Sequence, residues 1–125
     1  MNVKIDTKEK FVVITPLNTE LTAIMTEELA VMLRTYLQKD IPHIILNLSE
    51  VNKVDETGCE ILANIQQGFY ENDCSFVICA LKIAVEKKLD ELELLEILNV
   101  TPTESEAWDI VQMEEIEREL MQGED

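Results

Sequence analysis

Two short β-type runs open the chain, Val3–Asp6 and Phe11–Thr15. The polar Thr7-Lys8-Glu9-Lys10 between them suits a hairpin connection, and Pro16 closes the second run. From Ile24 to Lys39, apolar residues recur at Met25, Leu29, Leu33, Tyr36 and Leu37. Spacings of three and four predict a helix with one buried face, ended by Asp40 and Pro42. His43–Leu48 is a short, nearly continuous apolar run, the pattern of a strand covered on both faces. A polar loop, Ser49–Asp55, leads to a second helix from Thr57 to Tyr70, marked by Ile61, Leu62, Ile65 and Phe69 and stopped by Asn72-Asp73. Ser75–Ala80 predicts another buried strand, Ile83–Leu92 a third helix with Val85, Leu89 and Leu92, and Ile97–Thr101 a short strand. Thr103 and Glu106 have capping-box spacing at the start of a last helix, whose apolar stripe is Ile110, Met113, Ile116 and Leu120. Beyond Gln122 the tail is expected to fray.

The order β-β-α-β-α-β-α-β-α alternates strands with helices, which predicts an α/β fold, a mixed sheet of four or five strands with helices packed against it. At 125 residues, 46% of them hydrophobic, the chain is one domain with enough apolar sequence to fold alone despite its acidity. Ten basic against 26 acidic residues give a net charge of −16, which repels nucleic-acid phosphates and anionic membranes. The same charge attracts a basic protein surface, and it is equally a common route to solubility. Residues 104–125 hold nine acids and one Arg, half of the total charge, the composition of a solvated face. No apolar run reaches the ~18–20 residues of a membrane span, and the N-terminus lacks the apolar segment of a secretory signal. A cytoplasmic protein is therefore expected, with Cys59, Cys74 and Cys79 as buried, reduced thiols.

The chain is poor in recognisable catalytic chemistry. Its only histidine, His43, begins a strand with no nucleophile motif nearby. Glycine occurs only at 58, 68 and 123, so neither a Walker loop nor a dinucleotide-binding turn can be built. There is no Cys-x-x-Cys or His-x-x-x-His pair and no calcium-loop spacing, so no metal or cofactor is expected.

One segment carries information, the run from Asn47 to Gly58 in which a buried strand passes through a polar loop into a helix start. Ile44-Ile45-Leu46-Asn47-Leu48 followed by Asp55-Glu56-Thr57-Gly58 resembles the STAS family of anti-sigma factor antagonists, where an Asp-Ser-Ser/Thr-Gly motif follows such a strand. Glu20-Leu21-Thr22 resembles the family's Gly-Glu-Leu-Asp loop before the first helix, with Thr22 where the family prefers Asp. Phe76–Ala80 with Ala84-Val85 resembles its next strand and helix start. The resemblance implies a STAS domain over residues 1–111, leaving 112–125 as an acidic helical extension and tail.

It further implies a non-enzymatic module that binds a protein partner, an anti-sigma factor of the kinase type or a related regulator. In such antagonists the residue after the motif Asp is the serine phosphorylated by that kinase, and here it is Glu56. Asp55, Glu56, Thr57 and Gly58 are then the partner-binding candidates, Glu20 and Thr22 a second candidate contact, and Thr57 the fallback phosphoacceptor. Glu56 either imitates the modified state in part, with one charge against roughly 1.5–2 for a phosphate, or marks a surface where phosphorylation no longer matters. A plainer reading of the same residues is Asp55 near the N-cap, Glu56 as an ordinary first-turn acid and Gly58 as a packing residue. A scaffold or assembly role unrelated to sigma-factor control is the alternative function.

Overall fold

The computed structural model describes residues 1–122. The elements in chain order are β1 (Val3–Thr7), β2 (Val12–Pro16), β3 (Glu20–Leu21), α1 (Ala23–Arg34), a 3₁₀ turn (Thr35–Gln38), β4 (Ile44–Asn47), β5 (Lys53–Val54), α2 (Glu56–Glu71), β6 (Phe76–Cys79), α3 (Ile83–Glu91), β7 (Val100–Thr101) and α4 (Glu104–Gln122). The main sheet is five-stranded, in the order β1-β2-β4-β6-β7. β1 pairs with β2 antiparallel, and every other neighbouring pair is parallel, so the mixed α/β sheet that the sequence predicts is present.

Both faces of the central strands are apolar, and the period of two assigns each residue to one of two cores. Val12 and Ile14 of β2, Ile44 and Leu46 of β4, and Phe76 and Ile78 of β6 join the larger core with residues of α1, α2 and α3. The alternate residues Val13, Ile45, Val77 and Cys79 meet Ala107 and Val111 of α4 on the opposite face. Helices α1 and α2 pack closely against each other on the first face, through Leu29, Ala30 and Leu33 of α1 and Ile61, Leu62, Ile65 and Phe69 of α2. The first helix is shorter than its apolar period implies: α-geometry ends at Arg34, and Tyr36 is buried from a 3₁₀ turn with the Lys39 ammonium 4.3 Å above its ring.

Two elements have no counterpart in the sequence reading. β3 and β5 form a separate two-stranded parallel sheet, with Glu20 opposite Lys53 and Leu21 opposite Val54. β5 lies within the polar loop Ser49–Asp55, and β3 within the loop before the first helix.

The last helix also differs from expectation. Only the first member of its stripe, Ile110, packs against the core: Met113, Ile116 and Leu120 are 60%, 56% and 66% exposed, while Ala107 and Val111 are buried. Nor are its acids all solvated. Glu114 accepts from the Tyr70 hydroxyl at 2.7 and 2.9 Å, Glu115 meets His43 Nε2 at 3.1 Å, and Arg118 donates to Ser75 Oγ at 3.0 Å. The inward face thus runs on from Ala107 and Val111 through polar side chains that find polar partners at the edge of the sheet, which hydropathy alone cannot register. α4 continues without a break across residues 111 and 112. The tail beyond Gln122 lies outside the described residues.

Candidate partner-binding site

The site is built where β3 and β5 deliver the chain to two helix starts. Pairing of Leu21 with Val54 brings residues 20–22 beside residues 55–58, so the two candidate segments, far apart in sequence, are neighbours. The Asp55 N–H donates to Leu21 O at 3.0 Å, extending that pairing by one bond. Thr22 is the N-cap of α1: its Oγ1 accepts from the Met25 N–H at 3.2 Å, and its carbonyl accepts from Thr26 Oγ1 at 2.7 Å. Asp55 occupies the N-cap position of α2, with extended backbone at φ −62° and ψ 153°. Its carboxylate turns away from its own helix and accepts the N–H of Ala23, the first residue of α1, at 3.1 Å. One aspartate thereby joins the starts of both helices, using the orphan donor of one to fix the other.

Gly58 explains how the helices come so close. An ideal Cβ there would lie 2.9 Å from Thr26 Oγ1, 3.0 Å from Val54 Cγ1 and 3.6 Å from Leu21 O. The missing side chain is what lets α2 pass over α1 and the small sheet. Asp55 is half-buried and Gly58 buried, both engaged in holding the corner together, whereas Glu56 and Thr57 are exposed. Glu56 is the first residue of α2, one position earlier than the sequence pattern places the helix start. An acid there is favoured by the free N–H groups and the helix dipole, by ~0.3–1 kcal/mol. Glu20 is exposed on β3, and Thr22 is half-buried with its hydroxyl committed to the cap.

Sequence reasoning misses several residues of this corner. Lys82, at the start of α3, donates from Nζ to Asn52 Oδ1 at 2.8 Å, tying the third helix to the loop before β5. Ile24 and Ile83, near the starts of α1 and α3, are each 73% exposed. The available signal is that both fall outside the apolar stripes of their helices. Ala23 and Thr26 carry no signal, because their roles arise only when the two helices meet.

Cys59 is buried, and burial pushes its thiol up to about 11, opposed by Lys88 and reinforced by Glu56, Asp55 and Glu60. Such a thiol is a packing group rather than a nucleophile. His43 and Ser75 are adjacent, but His43 Nδ1 accepts the backbone N–H of Ser75 at 3.0 Å while Ser75 Oγ accepts from Arg118, an arrangement unlike a base activating a hydroxyl. A cleft of about 860 Å³ runs along α2 past Glu60, Asn64 and Gln67 to Leu94 and Ile97, and none of Asp55–Gly58 lines it. Among the described residues no group of three or more His, Cys, Asp or Glu is placed to hold a metal ion. No described helix is long and apolar enough to cross a membrane.

A mixed sheet with one antiparallel edge strand, crossover helices on one face and a closing helix on the other defines an α/β domain whose exposed corner is a helix start. The STAS domain family model matches residues 2–107, and the chain belongs to that family. A Thermotoga maritima protein described as a candidate anti-sigma factor antagonist superposes with a TM-score of 0.77 at 23% identity, covering 88% of this chain and 94% of that one. The RsbS protein of Moorella thermoacetica, in a form carrying a serine-to-glutamate substitution, gives 0.73 at 18% identity over 90% and 96% of the two chains. The anti-sigma factor antagonist SpoIIAA in its unphosphorylated form gives 0.70 at 18% identity over 89% and 96%. At these identities the likeness is one of fold.

Proposed function

We propose that the chain is a non-catalytic interaction module of the anti-sigma factor antagonist type, with Glu56 standing permanently where related antagonists carry a phosphorylatable serine. The single observation behind this reading is the division of labour in the motif. Asp55 and Gly58 are consumed in joining α2 to α1, while Glu56 and Thr57 point to solvent on a rigid helix start. Glu20 and the exposed Ile24 and Ile83 border the same corner and extend the contact face. The partner is an anti-sigma factor of the kinase type or a related regulator, not nucleic acid or a membrane, which the net charge of −16 disfavours. Three free, buried cysteines accord with a reducing, cytoplasmic compartment.

Glu56 has no hydroxyl, so the module cannot be switched at that residue. Mixing the chain with kinase-type anti-sigma factors from its own genome and ATP should leave residue 56 unmodified, whereas Glu56→Ser should become phosphorylated and lose affinity. Glu56→Lys reverses the charge at the contact face and should change partner affinity by more than ~1 kcal/mol by calorimetry. Strong modification of Thr57 in the wild type would show that the acceptor has moved by one residue. Indifference of every such partner to Glu56→Lys would leave the assembly role, which the missing serine already favours over a phosphorylation cycle.

A further inference from the structure

The proposed contact face lies with α1 and α2 on one side of the sheet, and α4 covers the other. We propose that the outward face of α4 is a second docking surface, for a basic amphipathic helical segment of a partner protein. Met113, Ile116 and Leu120 stand at i, i+3 and i+7, and all three are more than half exposed. At about 100° per residue they lie roughly 180° around the helix from the buried Ala107 and Val111. Single exposed apolar residues are ordinary; three in one stripe are not. Beside the stripe, and sharing Ile116 with it, is a cleft of about 460 Å³ floored by Phe11 and Trp108, whose rings stack at 4.5 Å. It offers a seat for a bulky apolar anchor next to the stripe.

Charge selects the occupant. Glu106, Asp109, Glu117 and Glu119 surround the stripe and are exposed. Arg118, the only base in residues 104–125, is turned inward to Ser75. The outward face of the helix is therefore of one sign, and the bases lie across the cleft from it on the β1–β2 connection, where Lys8 is paired with Asp6 at 3.0 Å and Lys10 stands beside Glu9. A second copy of the chain would set acid against acid, and an anionic lipid surface would be repelled. A helix with apolar residues on one face and Lys or Arg beside them satisfies both the stripe and its rim.

Trp108 is the only tryptophan, so its emission reports on the cleft directly. The probe is a Trp-free amphipathic peptide of Leu and Lys, about 14 residues long, titrated into the full chain by fluorescence and calorimetry. Saturable micromolar binding is expected. The combined variant Met113→Ser, Ile116→Ser, Leu120→Ser should weaken it at least about tenfold while lowering the thermal midpoint by no more than a few degrees, since those side chains are exposed and mainly helix propensity is lost. Glu117→Gln with Glu119→Gln should weaken it mainly at low salt. Glu56→Lys should leave it unaltered, which separates this surface from the first. Equal binding of a scrambled Leu/Lys peptide, or full binding by the serine variant, overturns the proposal. So does a wild-type dimer in sedimentation that the serine variant loses, or stripe-dependent flotation with phosphatidylglycerol vesicles.

Discussion

Gly58→Ala and Gly68→Ala make the same chemical change on the same helix and should move stability in opposite directions. At Gly58 the new methyl would sit 2.9 Å from Thr26 Oγ1 and 3.0 Å from Val54 Cγ1. Both neighbours are β-branched and stiff at χ1. Thr26 is fully buried, and its hydroxyl is held by Thr22 O at 2.7 Å, so it can yield only by breaking that bond or by parting the helices. Overpacking of this kind costs about 1–3 kcal/mol, against a helix-propensity gain of about 1 kcal/mol for Gly to Ala. The net expectation is a loss of about 1 kcal/mol. At Gly68 no described atom outside its own helix lies within 4 Å of the new Cβ, so the propensity gain of about 0.5–1 kcal/mol stands alone. Urea unfolding should place the two midpoints on either side of the wild type with equal slopes, and the thermal midpoints should differ by several degrees. A Gly58→Ala protein as stable as the wild type, or a shift of both variants in one direction, would refute the close-approach argument.

Asp55→Ala removes the acceptor of the Ala23 N–H and should cost about 1–2 kcal/mol in chemical denaturation, with Asp55→Asn recovering most of it because the amide oxygen still accepts. His43→Leu leaves the buried Ser75 N–H without its Nδ1 acceptor and should cost about 2 kcal/mol, while Glu115→Gln, at the half-exposed end of the same contact, should cost under about 1 kcal/mol. Burial raises the thiols of Cys59 and Cys79 from 9.0 to about 11 and about 12, so the folded chain keeps protons that the unfolded chain releases. Stability should therefore be flat below pH 9 with respect to these groups and fall as pH rises from 9 towards 11 and 12, by up to about 1.4 kcal/mol per pH unit for each thiol. Serine at both positions should remove their share of that slope in urea titrations, at the expense of overall stability, leaving the part due to Cys74 and Tyr70, whose burial raises them as well.

What the residues revealed about the fold follows from which interactions are local. The runs His43–Leu48 and Ser75–Ala80 announced buried parallel strands because both of their faces are apolar, and the helices announced themselves by spacing. The strand–loop–helix passage into Asp55–Gly58 was legible for the same reason. The β3–β5 pair was not, since two residues on each side carry no period and pair only once α1 and α2 have been placed. The joint role of Asp55 was equally hidden: an aspartate before a helix reads as a cap for that helix, and only the folded chain brings Ala23 within 3.1 Å of it. The orientation of α4 failed for a complementary reason. Three of the four residues in its apolar stripe, Met113, Ile116 and Leu120, face outward, and its inward face carries Glu114, Glu115 and Arg118, whose partners Tyr70, His43 and Ser75 come from elsewhere in the chain.

The fastening of α4 sets the order in which the backbone opens. Its first half rests on Val13, Ile45 and Val77 through Ala107 and Val111. From Glu114 onward it is held mainly by polar clasps, each of net worth about 1 kcal/mol because water can replace it. By comparison α2 buries Cys59, Ile61, Leu62, Ile65 and Phe69. Melting the distal turns of α4 thus exposes little apolar surface, and amides of 114–122 should exchange with solvent by local opening while those of α2 and β4 wait for global unfolding. The distal turns of α4 should thus melt as a unit of their own, and any segment seated on the outward stripe would also suppress that melting by mass action.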